Sequence, residues 1–318
     1  MLPVLAVLLA AVCFGTTGTA QAFAPEGATP LAIGAARILV GGAVLAIIAL
    51  AARRRPPTDG PMLPRPSGRQ VVLVLVGAAG VLAYQPLFFA GTAANGVAIG
   101  TVVALGSAPV ITGVLAGVLG RSLPSARWFA ATAVATVGVV LISGVFDTAG
   151  PTSAGSAGGT SPLGLLASVG AGGSYAVYTL ASKALLDQGW TPSSAMGALF
   201  GVAAVASIPL LLVAGAGWLL TPEGIGMTLW LGLVTTAGAY LLFGWGLARL
   251  PAATVSTLTL AEPLTATLLG TLLLGEQLAP LALAGLVVLG AGLVVLAWPA
   301  SHKGTGTSRP VRTRSSAG

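Results

Sequence analysis

Long apolar segments, each close to the length of a bilayer crossing, recur along almost the whole chain and limit its possible folds more than any other feature. A transmembrane α-helix needs about 20 apolar residues. Because lipid offers backbone N–H and C=O groups no hydrogen-bond partner, such segments are expected to be helical. With 55% hydrophobic and only 7% charged residues, the chain has too few polar side chains to cover a water-soluble globule. We therefore predict an all-α polytopic membrane protein.

The apolar segments predict ten transmembrane helices, with ends defined to within several residues. The predicted spans are residues 3–22, 30–52, 71–91, 96–119, 127–146, 162–183, 194–215, 226–248, 252–274 and 279–298. Residues 148–161 are rich in Gly, Ser and Thr, a composition typical of a flexible linker. Residues 299–318 are basic and contain no acidic residue, so we predict a disordered tail.

The basic residues select one orientation. If the amino terminus is cytoplasmic, 13 of the 14 Lys and Arg residues lie on the cytoplasmic side, and Arg37 is the exception. Short cytoplasmic loops of membrane proteins are enriched in Lys and Arg. We therefore predict a multi-pass protein with both termini in the cytoplasm. Topology accounts for the net charge of +7 without a nucleic-acid partner.

The two halves of the chain, residues 1–147 and 162–298, resemble each other. Ala108-Pro109 in the fourth span occupies the place of Glu262-Pro263 in the ninth. Because each half has five crossings, the second half enters the membrane from the opposite side. The sequence therefore predicts two inverted five-helix repeats joined by residues 148–161, an arrangement on which alternating access is built.

Glu262 is an acidic residue inside a predicted span, and Pro263 follows it directly. A charge at this depth is costly and marks a candidate functional site. A proline removes a backbone donor and loosens the preceding helical turn. Because burial favours the neutral acid, a carboxyl group that gains and loses a proton here could couple proton entry to substrate exit. In the alternative interpretation, Pro263 only kinks the helix and a neighbour neutralises Glu262.

Arg37 is the second charged residue within a predicted span. It lies about 10 Å below the outer edge of the second span, and Glu262 lies roughly 15 Å from the inner edge of the ninth, at 1.5 Å per residue. The two side chains can therefore meet in depth. A guanidinium suits a substrate carboxylate or phosphate. The alternatives are a structural ion pair with Glu262 or snorkelling to the outer surface.

Further candidates for a substrate pocket are polar, aromatic and prolyl residues within the spans. A pocket near the midplane needs a few such groups among apolar walls. Besides Arg37 and Glu262, the predicted set is Thr16, Thr17, Tyr84, Gln85, Pro109, Ser174, Tyr175, Tyr178, Thr179, Tyr240, Trp245 and Pro263. For any one of them, packing or an interhelical hydrogen bond is the alternative role. Three tryptophans near span ends, Trp128, Trp218 and Trp298, are interpreted as interfacial anchors.

Other patterns bear on partners and chemistry. Gly113 and Gly117 form a GxxxG pattern, which indicates close helix contact, either between the two halves or in a homodimer. The sequence contains no HExxH, GxSxG or phosphate-binding loop, and its single histidine, His302, lies in the tail. The sequence therefore predicts that the protein is not an enzyme and holds no metal or cofactor.

The chain resembles the EamA-type permeases of the drug/metabolite transporter superfamily. The resemblance rests on Arg37 in the second span, on the Ser-Ala-Pro of residues 107–109, and on the Ala-Glu-Pro-Leu of residues 261–264, which leads to the Leu-Gly-Glu-Gln-Leu of residues 274–278. It covers residues 1 to about 298. The first span reads Phe14-Gly15 where relatives commonly carry Trp-Gly. The resemblance implies an exporter of amino acids or other small metabolites in the bacterial cytoplasmic membrane.

Three functional hypotheses remain open from the sequence. The favoured one is a secondary transporter that exports a small zwitterionic or amphipathic metabolite by alternating access, through either proton exchange or facilitated diffusion. Its partners would be the substrate, the lipid bilayer and, in the first case, protons. A drug or organic-cation exporter would use Glu262 as the counter-ion of its substrate. A non-transporting membrane scaffold subunit would use Arg37 and Glu262 as a structural lock.

Overall fold

A computed structural model of the chain describes residues 1–54, 66–120, 124–143, 145–146, 161–275 and 278–298. Ten helices make up most of this part of the chain. They are α1 (Leu2–Ala22), α2 (Pro30–Arg54), α3 (Gly68–Val97), α4 (Ile99–Gly120), α5 (Ala126–Ile142), α6 (Pro162–Asp187), α7 (Pro192–Ala214), α8 (Pro222–Leu247), α9 (Ala252–Leu274) and α10 (Pro280–Ala297). Nine of these helices are long and apolar enough to cross a membrane, and α5, with 17 residues, is shorter.

The predicted all-α fold with two inverted five-helix repeats is confirmed. Each predicted span corresponds to one helix. The largest difference is at the end of α3, which continues six residues beyond the predicted end, and the ends of α5 and α6 and the start of α8 each differ by four residues. The predicted linker lies outside the described residues except for Ser161, and so does the predicted tail at residues 299–318.

Four helices begin at the same local signal, a Ser or Thr followed by Pro. The side chains of Ser161, Thr191 and Thr221 accept hydrogen bonds from backbone N–H groups in the first turns of α6, α7 and α8. Thr29 does the same for α2, at 3.2 Å from the nitrogen of Ala32. Proline at the first helical position lacks only an N–H that no helical carbonyl would accept. These pairs therefore fix where the helices start.

Helices α3 and α4 follow each other without a loop. The chain turns at Gly96, whose φ of 82° lies in the region that glycine tolerates best. The neighbouring Asn95 also holds the start of the second repeat, because its amide oxygen accepts a hydrogen bond from the Ser161 nitrogen at 2.6 Å and its amide nitrogen donates to the Ser161 carbonyl at 3.2 Å.

Contacts between helices follow a pseudo-twofold pattern. Helix α2 packs against α7, and α5 packs against α10, so helices five places apart in order lie side by side. Helix α1 packs on α8 and α9, and its counterpart α6 packs on α3 and α4. Each contact of the first repeat thus has an equivalent in the second. This places the axis between the two repeats through the α2–α7 and α5–α10 contacts.

The α5–α10 contact is made by backbone atoms. A Cβ atom added at Gly292 would lie 2.8 Å from the nitrogen of Ala135, and one added at Gly285 would lie 2.8 Å from the Gly138 carbonyl. Small residues let helices approach this closely in lipid, where apolar burial does not drive association. The glycines of this contact are therefore required by the geometry of the bundle.

The GxxxG pattern of α4 makes a contact within the chain. Gly113 lies against the indole ring of Trp128 on α5, and both Gly113 and Gly117 are buried. This contact joins two helices of the first half, so it is neither the contact between halves nor the homodimer contact that the sequence left open.

Two of the three predicted tryptophan anchors are wrong. Trp128 and Trp218 are only 4% and 5% exposed, whereas Trp298 is 68% exposed. The Trp128 indole fills the space beside Gly113 and donates a hydrogen bond to the Ala253 carbonyl at 2.9 Å. Proximity to a helix end suggested an interfacial position, but a glycine on the facing helix created a site for the ring inside the bundle.

We expect Gly292→Ala to destabilise the protein by about 1–3 kcal/mol, because the added methyl group would overlap the backbone of α5. Thermal unfolding in detergent micelles measures this effect. Gly290→Ala on the same helix is the matched control, since a Cβ atom at Gly290 meets no atom within 4 Å, and helix propensity then favours alanine. Equal melting temperatures for the two variants would contradict the assigned contact.

Candidate functional site

A central cavity lies between helices of both repeats, and seven of the predicted site residues line it. These residues are Arg37, Tyr84, Gln85, Tyr175, Tyr178, Tyr240 and Glu262. The cavity has a volume of about 70 Å³, which is room for a few water molecules. Thr17, from the wider predicted set, also faces it.

The break in α9 carries Glu262 to the cavity. The helix is interrupted between Ala252–Leu258 and Ala261–Leu274. Because Pro263 has no N–H, it cannot donate to the carbonyl of Thr259, four residues earlier. The backbone nitrogen of Glu262 donates to that carbonyl instead, at 2.9 Å. The proline itself is therefore not a lining residue but produces the local turn from which Glu262 and Thr259 reach the cavity.

Helix α1 touches the break in α9 directly. A Cβ atom added at Gly15 would lie 2.8 Å from the Glu262 carbonyl oxygen and 2.6 Å from Cβ of Thr265. Phe14, the residue before Gly15, lines the cavity. The Phe-Gly pair of the first span therefore has two roles. Gly15 permits the close contact between α1 and α9, and the Phe14 ring forms part of the cavity lining.

Glycines on α2 place Arg37. One turn further along the helix, a Cβ atom at Gly41 would lie 2.6 Å from the Gly232 carbonyl on α8, and one at Gly42 would lie 2.9 Å from Cβ of Ala204 on α7. Helix α2 thus packs closely against α7 and α8 of the second repeat. Because residues three or four positions apart share a helix face, Arg37 lies on the same face as Gly41. Arg37 consequently reaches the cavity between the repeats rather than the lipid.

Arg37 and Glu262 share the cavity but do not form a direct ion pair. Among the residues that the structure describes, the ion pair with a nitrogen–oxygen distance within 4.0 Å joins Lys183 and Asp187, at 2.9 Å. The Nε atom of Arg37 is buried and has no hydrogen-bond partner there. Two groups that carry opposite charges when ionised thus face one small space without satisfying each other.

Aromatic side chains form one wall of the cavity, and their hydroxyl groups have partners. The hydroxyl groups of Tyr178 and Tyr240 lie 3.1 Å apart, and that of Tyr175 lies 2.9 Å from Thr259 Oγ1. The ring of Tyr240 also packs against Phe200, with centroids 4.1 Å apart, and against Phe14, at 5.0 Å. Only one hydroxyl of the Tyr178–Tyr240 pair can be the donor, so the other keeps an O–H for a further partner, and the rest of this wall is mainly ring surface.

Three other lining groups make no hydrogen bond to a described residue. Within the described part of the chain, no hydrogen bond is made by the Tyr84 hydroxyl, the Gln85 amide or the Glu262 carboxyl group. Tyr84 stacks on Phe88, with ring centroids 5.9 Å apart, so its ring has a packing role as well. Groups left without partners beside a cavity are the ones able to bind a ligand.

A seam of hydroxyl groups joins the first segment of α9 to α4 and α5. Ser256 Oγ donates to Thr112 Oγ1 at 3.3 Å, and Thr132 and Thr257 are joined at 2.8 Å. All four residues are buried. The second segment of α9 differs, because its Thr265, Thr267 and Thr271 hydroxyl groups donate to carbonyls of their own helix. The break at Glu262 therefore separates a hydrogen-bonded segment from one held by packing on α1.

Six predicted site residues do not line the cavity, namely Thr16, Pro109, Ser174, Thr179, Trp245 and Pro263. Pro109 follows Ala108, which is the residue that lines the cavity. Trp245 lies near the end of α8, where the Arg249 guanidinium stacks over its ring at 3.9 Å and donates to its carbonyl at 2.8 Å. Pro109 and Trp245 therefore contribute to the helices around the cavity and not to its lining.

Several lining residues were missed by sequence reasoning, among them Phe200, Thr236, Ser256 and Thr259. Thr236 belongs to a π-helical stretch of α8, Trp230–Gly238, in which Thr235 and Thr236 both donate to the Leu231 carbonyl at 2.8 Å. Such wide turns are rare and often occur at functional sites. No residue pattern in the sequence predicts such wide turns. For the hydroxyl groups of α9, the sequence did offer a signal, namely three hydroxyl residues close together at Ser256, Thr257 and Thr259.

The bond between Thr132 and Thr257 predicts that replacing one of the two residues destabilises the protein more than replacing the other. Thr257 Oγ1 donates to the Ala253 carbonyl at 3.1 Å, so Thr132 is the donor in the bond between the two threonines. We expect Thr257→Val to destabilise by about 1–3 kcal/mol, because it leaves the Thr132 hydroxyl buried without an acceptor. Thr132→Val should cost less, since Thr257 keeps its carbonyl partner. Denaturation in detergent compares the two, and an equal or reversed order would contradict the bonding scheme.

Comparisons with known proteins identify a family and a shared fold. The chain matches the EamA-like transporter family over residues 1–144 and 162–298. A Bacillus subtilis (strain 168) protein named "Uncharacterized transporter YwfM" is 40% identical over 295 residues, which cover 91% of this chain and 92% of that protein. A protein of known crystal structure, 19% identical, aligns with a TM-score of 0.72 over 93% of this chain and 96% of its own. This structural likeness shows a shared fold.

Proposed function

This chain belongs to the EamA-like transporter family, and on that premise we propose that it exports a small zwitterionic metabolite of the amino-acid type across the bacterial cytoplasmic membrane. Its two repeats, assigned to residues 1–147 and 162–298, would alternate around the central cavity. The termini would lie in the cytoplasm, as the distribution of Lys and Arg favours.

The observation that carries this proposal is the arrangement of Arg37 and Glu262. They line the same cavity without a direct ion pair. A guanidinium binds a carboxylate through charge-assisted hydrogen bonds, and a carboxylate accepts hydrogen bonds from an ammonium group. A zwitterion would satisfy both, whereas a buried charge without a partner is costly. The internally bonded tyrosines would supply ring surface for the apolar part of the substrate.

The small size of the cavity supports a mechanism in which the two repeats move relative to each other. Ligand pockets usually measure about 300–1,000 Å³, and this cavity measures about 70 Å³. A metabolite can enter only after the repeats separate on one side. The break in α9 is a suitable hinge, because the hydroxyl seam holds its first segment while the second rests on α1.

Proton exchange is the coupling we propose. Glu262 is the carboxyl group that lines the central cavity, and it can accept a proton when no ammonium group is bound. Competition between proton and substrate at one carboxylate is sufficient to exchange one for the other.

The other two hypotheses meet specific objections. An organic cation would be attracted by Glu262 but repelled by Arg37 in the same cavity. A structural lock in a scaffold subunit would require the two side chains to pair, and within the described residues they do not approach within 4.0 Å. A scaffold would also show no saturable flux.

The first experiment measures efflux of labelled amino acids and other small metabolites from proteoliposomes. We expect saturable flux in the wild type and a decrease of about tenfold or more in Arg37→Gln, because a charge-assisted hydrogen bond contributes about 1.5–3 kcal/mol. Arg69→Gln, an exposed position at the start of α3, is the matched control. Full flux in Arg37→Gln would remove Arg37 from the binding site, and absence of flux for every compound in the wild type would contradict the proposed substrate class.

A second experiment tests proton coupling. An imposed pH gradient should accelerate efflux in the wild type and have no effect in Glu262→Gln, because the amide cannot exchange a proton. Glu223→Gln, which removes an exposed carboxylate at the start of α8, should retain the gradient dependence. If Glu262→Gln still responded to the gradient, facilitated diffusion or another proton site would replace this mechanism.

A further inference from the structure

Gln85 on α3 is a largely buried residue whose amide makes no hydrogen bond to any residue that the structure describes. The residue is only 7% exposed and lines the central cavity. No described residue donates a hydrogen bond to its amide or accepts one from it. A buried polar group normally has a partner, because leaving it without one is costly. The amide is therefore available to a molecule in the cavity, either water or a ligand.

The Gln85 side chain is positioned by close contact of its Cβ, Cγ and Cδ atoms with Gly34 on α2. A Cβ atom added at Gly34 on α2 would lie 3.1 Å from Cγ and 3.2 Å from Cδ of Gln85. The glycine thus provides the space in which this side chain lies. Gly34 and Arg37 are three positions apart and share a face of α2. The Gln85 amide is consequently held on the side of the cavity where Arg37 lies.

Three of the four tyrosine hydroxyl groups of the cavity already take part in a hydrogen bond, since Tyr178 is bonded to Tyr240 and Tyr175 to Thr259. The Tyr84 hydroxyl, like the Gln85 amide, has no partner among the described residues, but a hydroxyl has one donor whereas the amide has two donors and an acceptor. Arg37 and Glu262 likewise make no hydrogen bond to a described residue. With Gln85 they form three points of attachment, of which two carry charge and one is neutral.

On the basis of the proposed function, we propose that Gln85 selects the substrate side chain and that this transporter prefers amino acids with a small uncharged hydrogen-bonding side chain, a hydroxyl or a carboxamide. A primary amide presents both donors and an acceptor. A hydroxyl or a carboxamide can use both kinds of group, whereas an aliphatic side chain uses neither and leaves the Gln85 amide buried without a partner.

General experience with binding sites sets the expected magnitude. An apolar pocket rejects an analogue with one extra hydroxyl by only about a hundredfold, whereas a site built to bond a hydroxyl rejects the analogue that lacks it by about 10⁴-fold or more. Transport through a site that must also open and close should show a smaller ratio. We expect a preference of about tenfold or more for the polar member of an isosteric pair.

The test compares two isosteric pairs, threonine with valine and asparagine with leucine, by kcat/KM for efflux from proteoliposomes. In the wild type the polar member of at least one pair should be favoured about tenfold or more. Gln85→Met keeps the unbranched shape but removes the amide, and it should bring the ratio to one or below. Gln188→Met is the matched control, since Gln188 is exposed at the end of α6 and donates to the Ala184 carbonyl, and it should keep the wild-type ratio.

The outcomes separate this inference from the proposed function. Equal transport of both members of each pair by the wild type would overturn the role of Gln85, because an ordered water would then suffice as its partner, while the transporter assignment would stand. A wild-type ratio retained in Gln85→Met would overturn it as well. Absence of flux for any amino acid would overturn the proposed function itself. If Gln85→Met does not fold, thermal stabilisation of the wild type by threonine but not by valine supports the role, and equal stabilisation refutes it.

Discussion

Direct backbone contact between helices, made where glycine replaces a side chain, is the constraint on which the rest of this structure depends. Apolar burial cannot hold helices together in lipid, so close approach must do so. Gly292 brings α10 onto α5, Gly41 brings α2 onto α8, and Gly15 brings α1 onto α9. The last two contacts also decide the functional geometry, because they set the positions of Arg37 and of the break that carries Glu262.

Polar groups inside the bundle fall into two classes. In the first class, such as Thr132 with Thr257 or Tyr178 with Tyr240, each hydroxyl has a partner on another helix. In the second class, the side chains of Arg37, Gln85 and Glu262 face the cavity and lack a close protein partner within the described residues. The first class stabilises one arrangement of helices. The second leaves polar groups available beside the cavity, as the proposed substrate site requires.

The break in α9 connects these two classes. On one side of it, hydroxyl groups join α9 to α4, α5 and α6. On the other side, the helix bonds its own carbonyls and rests on α1 through Gly15. A substrate bound at Glu262 would therefore act at the junction of a firmly held segment and a loosely held one. Small movements at this point can be passed to whole repeats, because packed helices change between discrete arrangements.

The sequence by itself determined the all-α class, the number and approximate ends of the helices, the inverted duplication and the two charged residues within the spans, since each of these follows from local hydrophobicity, helix-start chemistry and charge. Only the tertiary structure decided which polar residues face the cavity. Tyr178, Gln85 and Trp245 are all polar or amphipathic residues within spans, yet the first is bonded to Tyr240, the second makes no hydrogen bond to a described residue, and the third stacks with Arg249 outside the cavity. A hydrogen bond or a close contact depends on two helices at once, and the pattern along one helix carries no record of its neighbour.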